Sequence, residues 1–190
     1  MPTLSILGAA LALCAGLAQA ADPTASGMPS GFSFQEYSGA AAVGNGNVDV
    51  RDVLWYIDEQ TVGGVKSWYI FFDPAGVQST TATITFDRPI SNVLDTKPQL
   101  DSTNTTYGID VDGDTVFDDY QTSVFIAPEL NAFDTVSWVP GGNTVTISWN
   151  AVDPGDHIRV LLEVPEPSTY ALLGVGGLML ALATRRRQRR

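Results

Sequence analysis

Aspartates that could bind a metal ion are concentrated in residues 107–115 and just beyond. Calcium prefers oxygen ligands, and a loop with aspartates at every second position can bring several carboxylates to one ion. The EF-hand pattern is not met, because Thr115 and Gln121 stand where that pattern needs glycine and glutamate. The simpler interpretation, which the pattern favours, is a hairpin turn at Asp112-Gly113 with solvated aspartates beside it. We predict calcium as the one candidate cofactor, with none required, and the ligands would be Asp110, Asp112, Asp114 and Asp118.

Residues that could carry out enzymatic catalysis are scarce. The chain has one histidine, His157, and one cysteine, Cys14, which lies in a predicted leader. His157 stands beside Asp156 and Arg159 where a predicted strand begins. Without a second histidine or a nucleophile motif, it is interpreted as a structural residue at a strand edge rather than a general base. Paired carboxylates could cleave glycosides, but such pairs occur by chance in an acidic chain. We therefore predict a non-enzymatic protein, with an exported hydrolase as a distant alternative.

Two patterns could form a binding surface. Thr81, Thr83 and Thr85 alternate with apolar residues, which would present hydroxyl groups on one face of a strand, as ice-binding surfaces do. A solvent-facing strand explains this pattern more simply, because an array needs many aligned strands. Four tryptophans could stack on sugars if exposed, although at alternating strand positions they are more often part of the core. Exposed tryptophans would favour a carbohydrate-binding module, the alternative function. They are Trp55, Trp68, Trp138 and Trp149.

The sequence pattern predicts that these residues are positioned by short β-strands. Runs rich in β-branched and aromatic residues are separated by Pro, Gly, Asn and Asp clusters, and no helix is predicted before Ser168. The first two long runs, around Gly63-Gly64, read as a hairpin. The pattern predicts an all-β fold over residues 21–164, an antiparallel β-sandwich of jelly-roll or immunoglobulin-like type. The predicted strands are residues 32–37, 54–58, 67–73, 79–86, 116–126, 135–139, 144–149 and 157–164.

The charge distribution excludes one class of partner. Of the 190 residues, 21 are acidic and 10 are basic, and five of the basic ones are arginines within residues 185–190. The chain before those arginines therefore has a net charge of −16. Nucleic acid binding needs clustered Lys and Arg, so we expect no nucleic-acid partner.

Residues 1–20 have the pattern of a secretory signal peptide. Residues 4–17 are an apolar run, and the small residues Ala18 and Ala20 flank Gln19 at a typical cleavage site. Signal peptidase would cut before Ala21. No Lys or Arg precedes the apolar run, and a start codon assigned too far downstream would explain this.

Residues 168–184 are predicted to form a transmembrane helix. They carry no charge and would span about 25 Å as a helix, which is short but usable. The arginines that follow would face the cytoplasm and act as a stop-transfer signal, with the domain on the opposite side. Those arginines begin with Arg185, Arg186 and Arg187.

The order of polar motif, apolar helix and arginine cluster over residues 165–190 resembles the PEP-CTERM sorting signal of Gram-negative bacteria. Pro165, Glu166 and Pro167 match its motif. The resemblance implies that the membrane protease-transpeptidase exosortase recognises and processes this motif. It also implies an association with extracellular polysaccharide and biofilm, and a route from a transient inner-membrane anchor to the cell surface or matrix.

Overall fold

A computed structural model describes residues 20–39, 43, 48–110, 130–152 and 155–164. They lie within Ala20–Val164, which forms one compact unit. This part of the chain contains nine strands and one helix. In chain order they are β1 Thr24–Ser26, β2 Ser33–Glu36, β3 Val53–Val62, β4 Val65–Phe72, β5 Gln78–Thr85, β6 Ile90–Leu94, α1 Lys97–Tyr107, β7 Thr135–Trp138, β8 Thr144–Ala151 and β9 Asp156–Glu163.

The predicted hairpin forms the centre of a five-stranded sheet with the order β2-β3-β4-β9-β6. Gly63 and Gly64 connect β3 to β4, and both have positive φ, as a tight two-residue hairpin turn requires. β4 pairs along its whole length with β9, which comes from the far end of the described chain. Because β4 lies between two strands and is buried along nearly its whole length, its sequence is apolar except at Lys66 and Ser67.

The second sheet has four strands in the order β1-β5-β8-β7. β5 and β8 pair over eight residues without a register shift. Apart from the buried Thr80, their sequences alternate between buried apolar residues and outward-facing polar ones, so one face of this sheet packs inward and the other faces water.

Two apolar cores hold these layers. The first lies between the sheets and includes Trp68 and Ile70 from β4, together with Ile84 and Trp149 from the facing sheet. The second lies on the opposite side of the five-stranded sheet, where Tyr69 and other residues pack against Leu100 of α1 and the segment before β3. The two sheets therefore form a sandwich, and the outer face of the larger sheet is also covered.

The prediction of no helix before Ser168 is wrong, because α1 occupies Lys97–Tyr107. Thr96 caps its start in a capping box with Gln99, and Pro98 lies in its first turn, where proline is tolerated. The helix is polar, and only Leu100 and Asn104 are buried. Its apolar pattern is therefore too weak to reveal it by periodicity.

The sandwich is also not purely antiparallel. β2 pairs in parallel with β3, from Ser33 opposite Val53 to Glu36 opposite Tyr56. Parallel partners need a connection longer than a hairpin turn, and the stretch between β2 and β3 supplies it. The sequence patterns do not predict β1 or β6, and the predicted strand at 116–126 lies outside the described residues.

Candidate functional site

The most polar buried cluster in the described part of the chain is centred on Arg159 of β9. Its side chain is fully buried on the face covered by α1. Nε and one terminal nitrogen donate to both carboxylate oxygens of Glu59, at distances of 2.8 and 2.7 Å. The same guanidinium donates to the carbonyl of Leu100 at 3.0 Å, to Asn104 Oδ1 at 2.8 Å and to the hydroxyl of Thr103.

These bonds use every N–H of the guanidinium. A guanidinium has five N–H donors, and here two are directed at Glu59 and three at α1. Glu59 also accepts from the Ser67 hydroxyl. A donor set that is filled from within the fold has no free donor for a substrate. The cluster therefore holds α1 against the sheet, and the geometry of the Arg159–Glu59 pair is that of a structural ion pair.

His157 lies in the second apolar core and has no exposed surface. Its ring stacks on Phe71 with ring centres 5.6 Å apart and planes 13° apart, and it contacts Tyr69 at 5.6 Å. His157 is the second residue of β9, so the strand begins where the sequence predicts, and it pairs there with Phe71 of β4, whereas the pairing with β6 starts at Arg159. A buried imidazole between aromatic rings cannot reach a substrate in solution without opening the core.

The tryptophans divide into two groups. Trp68 and Trp149 are buried in the core between the sheets, at 0% and 1% exposure. Lys66 lies over Trp68, with Nζ 4.6 Å from the ring centre, and forms an ion pair with Asp58. Trp55 and Trp138 are partly buried and pack at the margins of the two cores. Two of the four indoles are therefore unavailable to a sugar.

A pair of carboxyl groups lies where β8 and β9 meet. Asp156 is 3% exposed, and a side-chain hydrogen bond joins it to Asp134. Asp134 in turn accepts from the backbone N–H of Asn150 at 2.7 Å and of Asn131 at 2.8 Å. Burial, followed by the charge and hydrogen bond of Asp134, raises the pKa of Asp156 to about 7. At acidic pH, protonated Asp156 donates its O–H to Asp134.

This pair should make stability depend on pH. The unfolded chain loses the Asp156 proton near pH 4, whereas the folded protein keeps it to about 7. The proton on Asp156 contributes its full stabilisation below about pH 4. As the pH rises to 7 this contribution is lost, and the free energy of unfolding falls by up to about 1.4 kcal/mol per pH unit. We expect Asp156→Asn to flatten this decline in urea unfolding measured from about pH 4 to about pH 8. Asp52→Asn, at an exposed aspartate, is the control, and equal pH slopes in the wild type and Asp156→Asn would contradict the prediction.

The residues predicted from sequence are only partly described. Asp110 is partly buried, whereas Asp112, Asp114 and Asp118 lie outside the described residues, as do the sorting motif and the arginine cluster. Within the described ranges no group of three or more His, Cys, Asp or Glu could hold a metal ion. At the predicted signal cleavage site, Ala18 is not described, and the backbone N–H of Ala21 donates to Asp87 Oδ2 at 3.0 Å.

The sequence interpretation missed Glu59 and Asp134, each a partner of a buried charged group. One signal was available. Arg159 stands inside an apolar strand, and a charge in such a place is expected to have a buried partner. The identity of that partner could not be read, because Glu59 lies 100 residues earlier.

Comparisons with known proteins give one match. Neither the curated proteins nor the solved structures include a match to this chain. In the portion of the chain that the structure describes, no helix is long and apolar enough to cross a membrane. The family model for the PEP-CTERM protein-sorting motif matches residues 163–187. That span contains Pro165, Glu166 and Pro167 and ends at Arg187, so this chain is a protein that carries a PEP-CTERM sorting motif.

Proposed function

We propose that this protein is a non-enzymatic component of the cell surface or extracellular matrix, delivered there by exosortase processing and associated with exopolysaccharide in biofilms. The observation that carries the proposal is the motif at residues 163–187. It supports an exported protein sorted by exosortase. The apolar run 168–184 would anchor the chain in the inner membrane until processing, with Arg185, Arg186 and Arg187 on the cytoplasmic side.

The environment of Ala21 supports removal of a signal peptide before this residue. Its N–H already points at Asp87 Oδ2, 3.0 Å away. Cleavage before Ala21 would turn this amide into an ammonium group, and the hydrogen bond would become a charge-assisted one, which is shorter and about twice as strong. The folded domain therefore has an acceptor in place for the new N-terminus.

Intact mass of the exported protein tests both cleavages. We expect a species that begins at Ala21 and lacks the residues that follow the Pro165-Glu166-Pro167 motif. Replacing Glu166 with Ala should prevent the second cleavage and leave the first unchanged, because signal peptidase acts at the other end. A surface species that still carries Arg190 would show that the motif is a plain anchor signal.

The described residues also support a non-enzymatic role. Arg159 has all its donors filled, and His157 is enclosed by aromatic rings. A carbohydrate-binding module built on exposed tryptophans is not favoured, because Trp68 and Trp149 are buried. The calcium site in the aspartate run stays a prediction.

A further inference from the structure

We propose that the outer face of the four-stranded sheet binds an extended, uncharged polysaccharide chain. We call this surface the hydroxyl face, and every side chain on it is Thr, Ser or Asn. Its members are Thr24 and Ser26 of β1, Ser79, Thr81, Thr83 and Thr85 of β5, Thr144, Thr146, Ser148 and Asn150 of β8, and Thr135 and Ser137 of β7. The proposal rests on the exopolysaccharide association proposed above, which it deepens by naming a surface and a neutral polymer, and it is independent of exosortase sorting.

The strand register aligns these residues into rows across the sheet. In the central row, Ser26 lies opposite Thr83, Thr83 opposite Thr146, and Thr146 opposite Ser137. The neighbouring rows lie two residues away along each strand, because side chains on one face recur at every second residue. With strands about 4.8 Å apart and about 3.3 Å of rise per residue, the face is about 14 Å wide at its central row and about 20 Å long along β5 and β8. The threonine alternation on one strand is therefore part of an array over four strands.

Some of these hydroxyl groups are already ordered by the protein. Thr83 Oγ1 and Thr146 Oγ1 lie 3.4 Å apart, and the hydroxyl of Ser79 donates to Asn150 Oδ1 at 2.8 Å. Thr81 donates to the carbonyl of Gly27 at 3.2 Å. Order that exists before binding reduces the entropy lost on binding, which favours a ligand that bonds to several of these groups at once.

The composition of the hydroxyl face points to a neutral partner. Charged residues make up 16% of the chain, and the region before the arginine cluster has a net charge of −16, yet this face has none. Within the four strands, no side chain on this face is apolar, so the strands themselves offer nothing to drive hydrophobic association with a second protein chain. A polymer of uncharged sugars matches its hydrogen-bonding groups without opposing charge.

An exposed aromatic ring lies next to this face. Phe133, two residues before Thr135 of β7, is 80% exposed. Its backbone is held by a hydrogen bond from its N–H to Asn131 Oδ1 at 2.8 Å. Aromatic rings pack on the C–H faces of sugars, as they do on other apolar surfaces. A hydroxyl array beside an exposed aromatic ring matches both the polar and the apolar surfaces of a sugar chain.

The geometry favours a flexible polymer over ice. Adjacent strands in a sheet are rotated by about 20 to 25° relative to each other, so a four-stranded face is twisted rather than planar. A rigid crystal plane cannot follow that twist, whereas a polysaccharide chain can adjust its glycosidic torsions. Each exposed hydrogen bond adds little over water, so binding should depend on many contacts along one chain.

Affinity electrophoresis of the purified full chain in gels that contain hydroxyethylcellulose tests this proposal. We expect the neutral polymer to retard the wild type. The double variant Thr83→Val/Thr146→Val, which removes two central hydroxyls and keeps the branched shape, should bind at least about tenfold more weakly, and Phe133→Ala should also weaken binding. The matched control is Thr105→Val/Thr106→Val on α1, where both threonines are exposed and away from the face. Equal melting temperatures would show that the variants remain folded.

Charged polymers and ice provide the comparison ligands. Carboxymethylcellulose and a quaternised cellulose have the same backbone with negative and positive charges. Retardation by the cationic polymer alone, or no retardation of the wild type by the neutral one, would overturn the proposal. Equal retardation of the wild type and the Thr83→Val/Thr146→Val variant would do the same. Slower ice recrystallisation that is lost in that variant would assign the face to ice instead. None of these outcomes bears on exosortase sorting, which intact mass tests separately.

Discussion

Arg159→Met should lower the free energy of unfolding by about 3–5 kcal/mol, because it leaves the Glu59 carboxylate buried without its partner. Both side chains have 0% exposure, so water cannot replace the lost donors without opening the structure. The substitution also removes the donors to the Leu100 carbonyl and to Asn104, which hold α1 against the sheet. Urea unfolding followed by tryptophan fluorescence would measure the loss.

The double variant Arg159→Met/Glu59→Leu separates the charge effect from the loss of packing. Buried ion pairs replaced by apolar residues of similar volume are often neutral in stability, because the cost of desolvating two charges is removed. We expect the double variant to be more stable than Arg159→Met alone. Lys97→Met, which breaks the exposed pair with Asp101, should cost less than about 1 kcal/mol. A loss of similar size for Arg159→Met would show that the buried pair is not required.

Gly155→Ala should destabilise the protein by more than about 3 kcal/mol, or prevent folding, because a steric clash adds to a backbone cost of about 1–2 kcal/mol. The residue has φ of +93°, and an added Cβ would lie 2.2 Å from the carbonyl oxygen of Phe72 and 2.8 Å from Cα of Asp73. These are backbone atoms where β4 ends beside β9, so relief requires breaking the central pairing of the sheet. Thermal and urea unfolding would measure the effect.

Gly76→Ala provides a control with nearly the same backbone geometry. Gly76 has φ of +85°, and an added Cβ there would meet no atom within 4 Å. It should therefore cost only the backbone contribution, about 1–2 kcal/mol. If the two substitutions lowered the free energy of unfolding equally, the C-terminal end of β4 would be able to move far enough to accept a methyl group, and the prediction would be wrong.

The sequence was sufficient for elements whose pattern is local. The hairpin around Gly63-Gly64 could be predicted because two β-rich runs flank a turn that favours positive φ. β5 and β8 could be predicted because one face of their sheet is buried and the other is solvated, which produces strict alternation. These patterns were enough to predict that the strands are present, but they did not predict the order of the strands within each sheet.

What could not be predicted depends on residues that are distant in sequence. α1 is mostly polar, and its attachment to the sheet depends on Arg159, which is 55 residues beyond Asn104. The threonine alternation of β5 indicates no more than a solvent-facing strand, because the alignment of β1 and β7 with β5 and β8 is a property of the whole sheet. Phe133 lies outside any strand, so no periodicity draws attention to it.

The pairing of β4 with β9 has a consequence for the timing of folding. Because a chain is synthesised from its N-terminus, β3 and β4 are complete long before β9, and the edge of β4 that will pair with β9 then has unpaired backbone N–H and C=O groups. Long-range pairing of this kind is slow, and exposed strand edges promote aggregation. The final strand ends at Glu163, and Val164 donates its N–H to the carbonyl of Gly64 at 2.8 Å. The five-stranded sheet therefore cannot be completed until the residues just before Pro165-Glu166-Pro167 are available, so folding of the domain finishes at the start of the sorting motif.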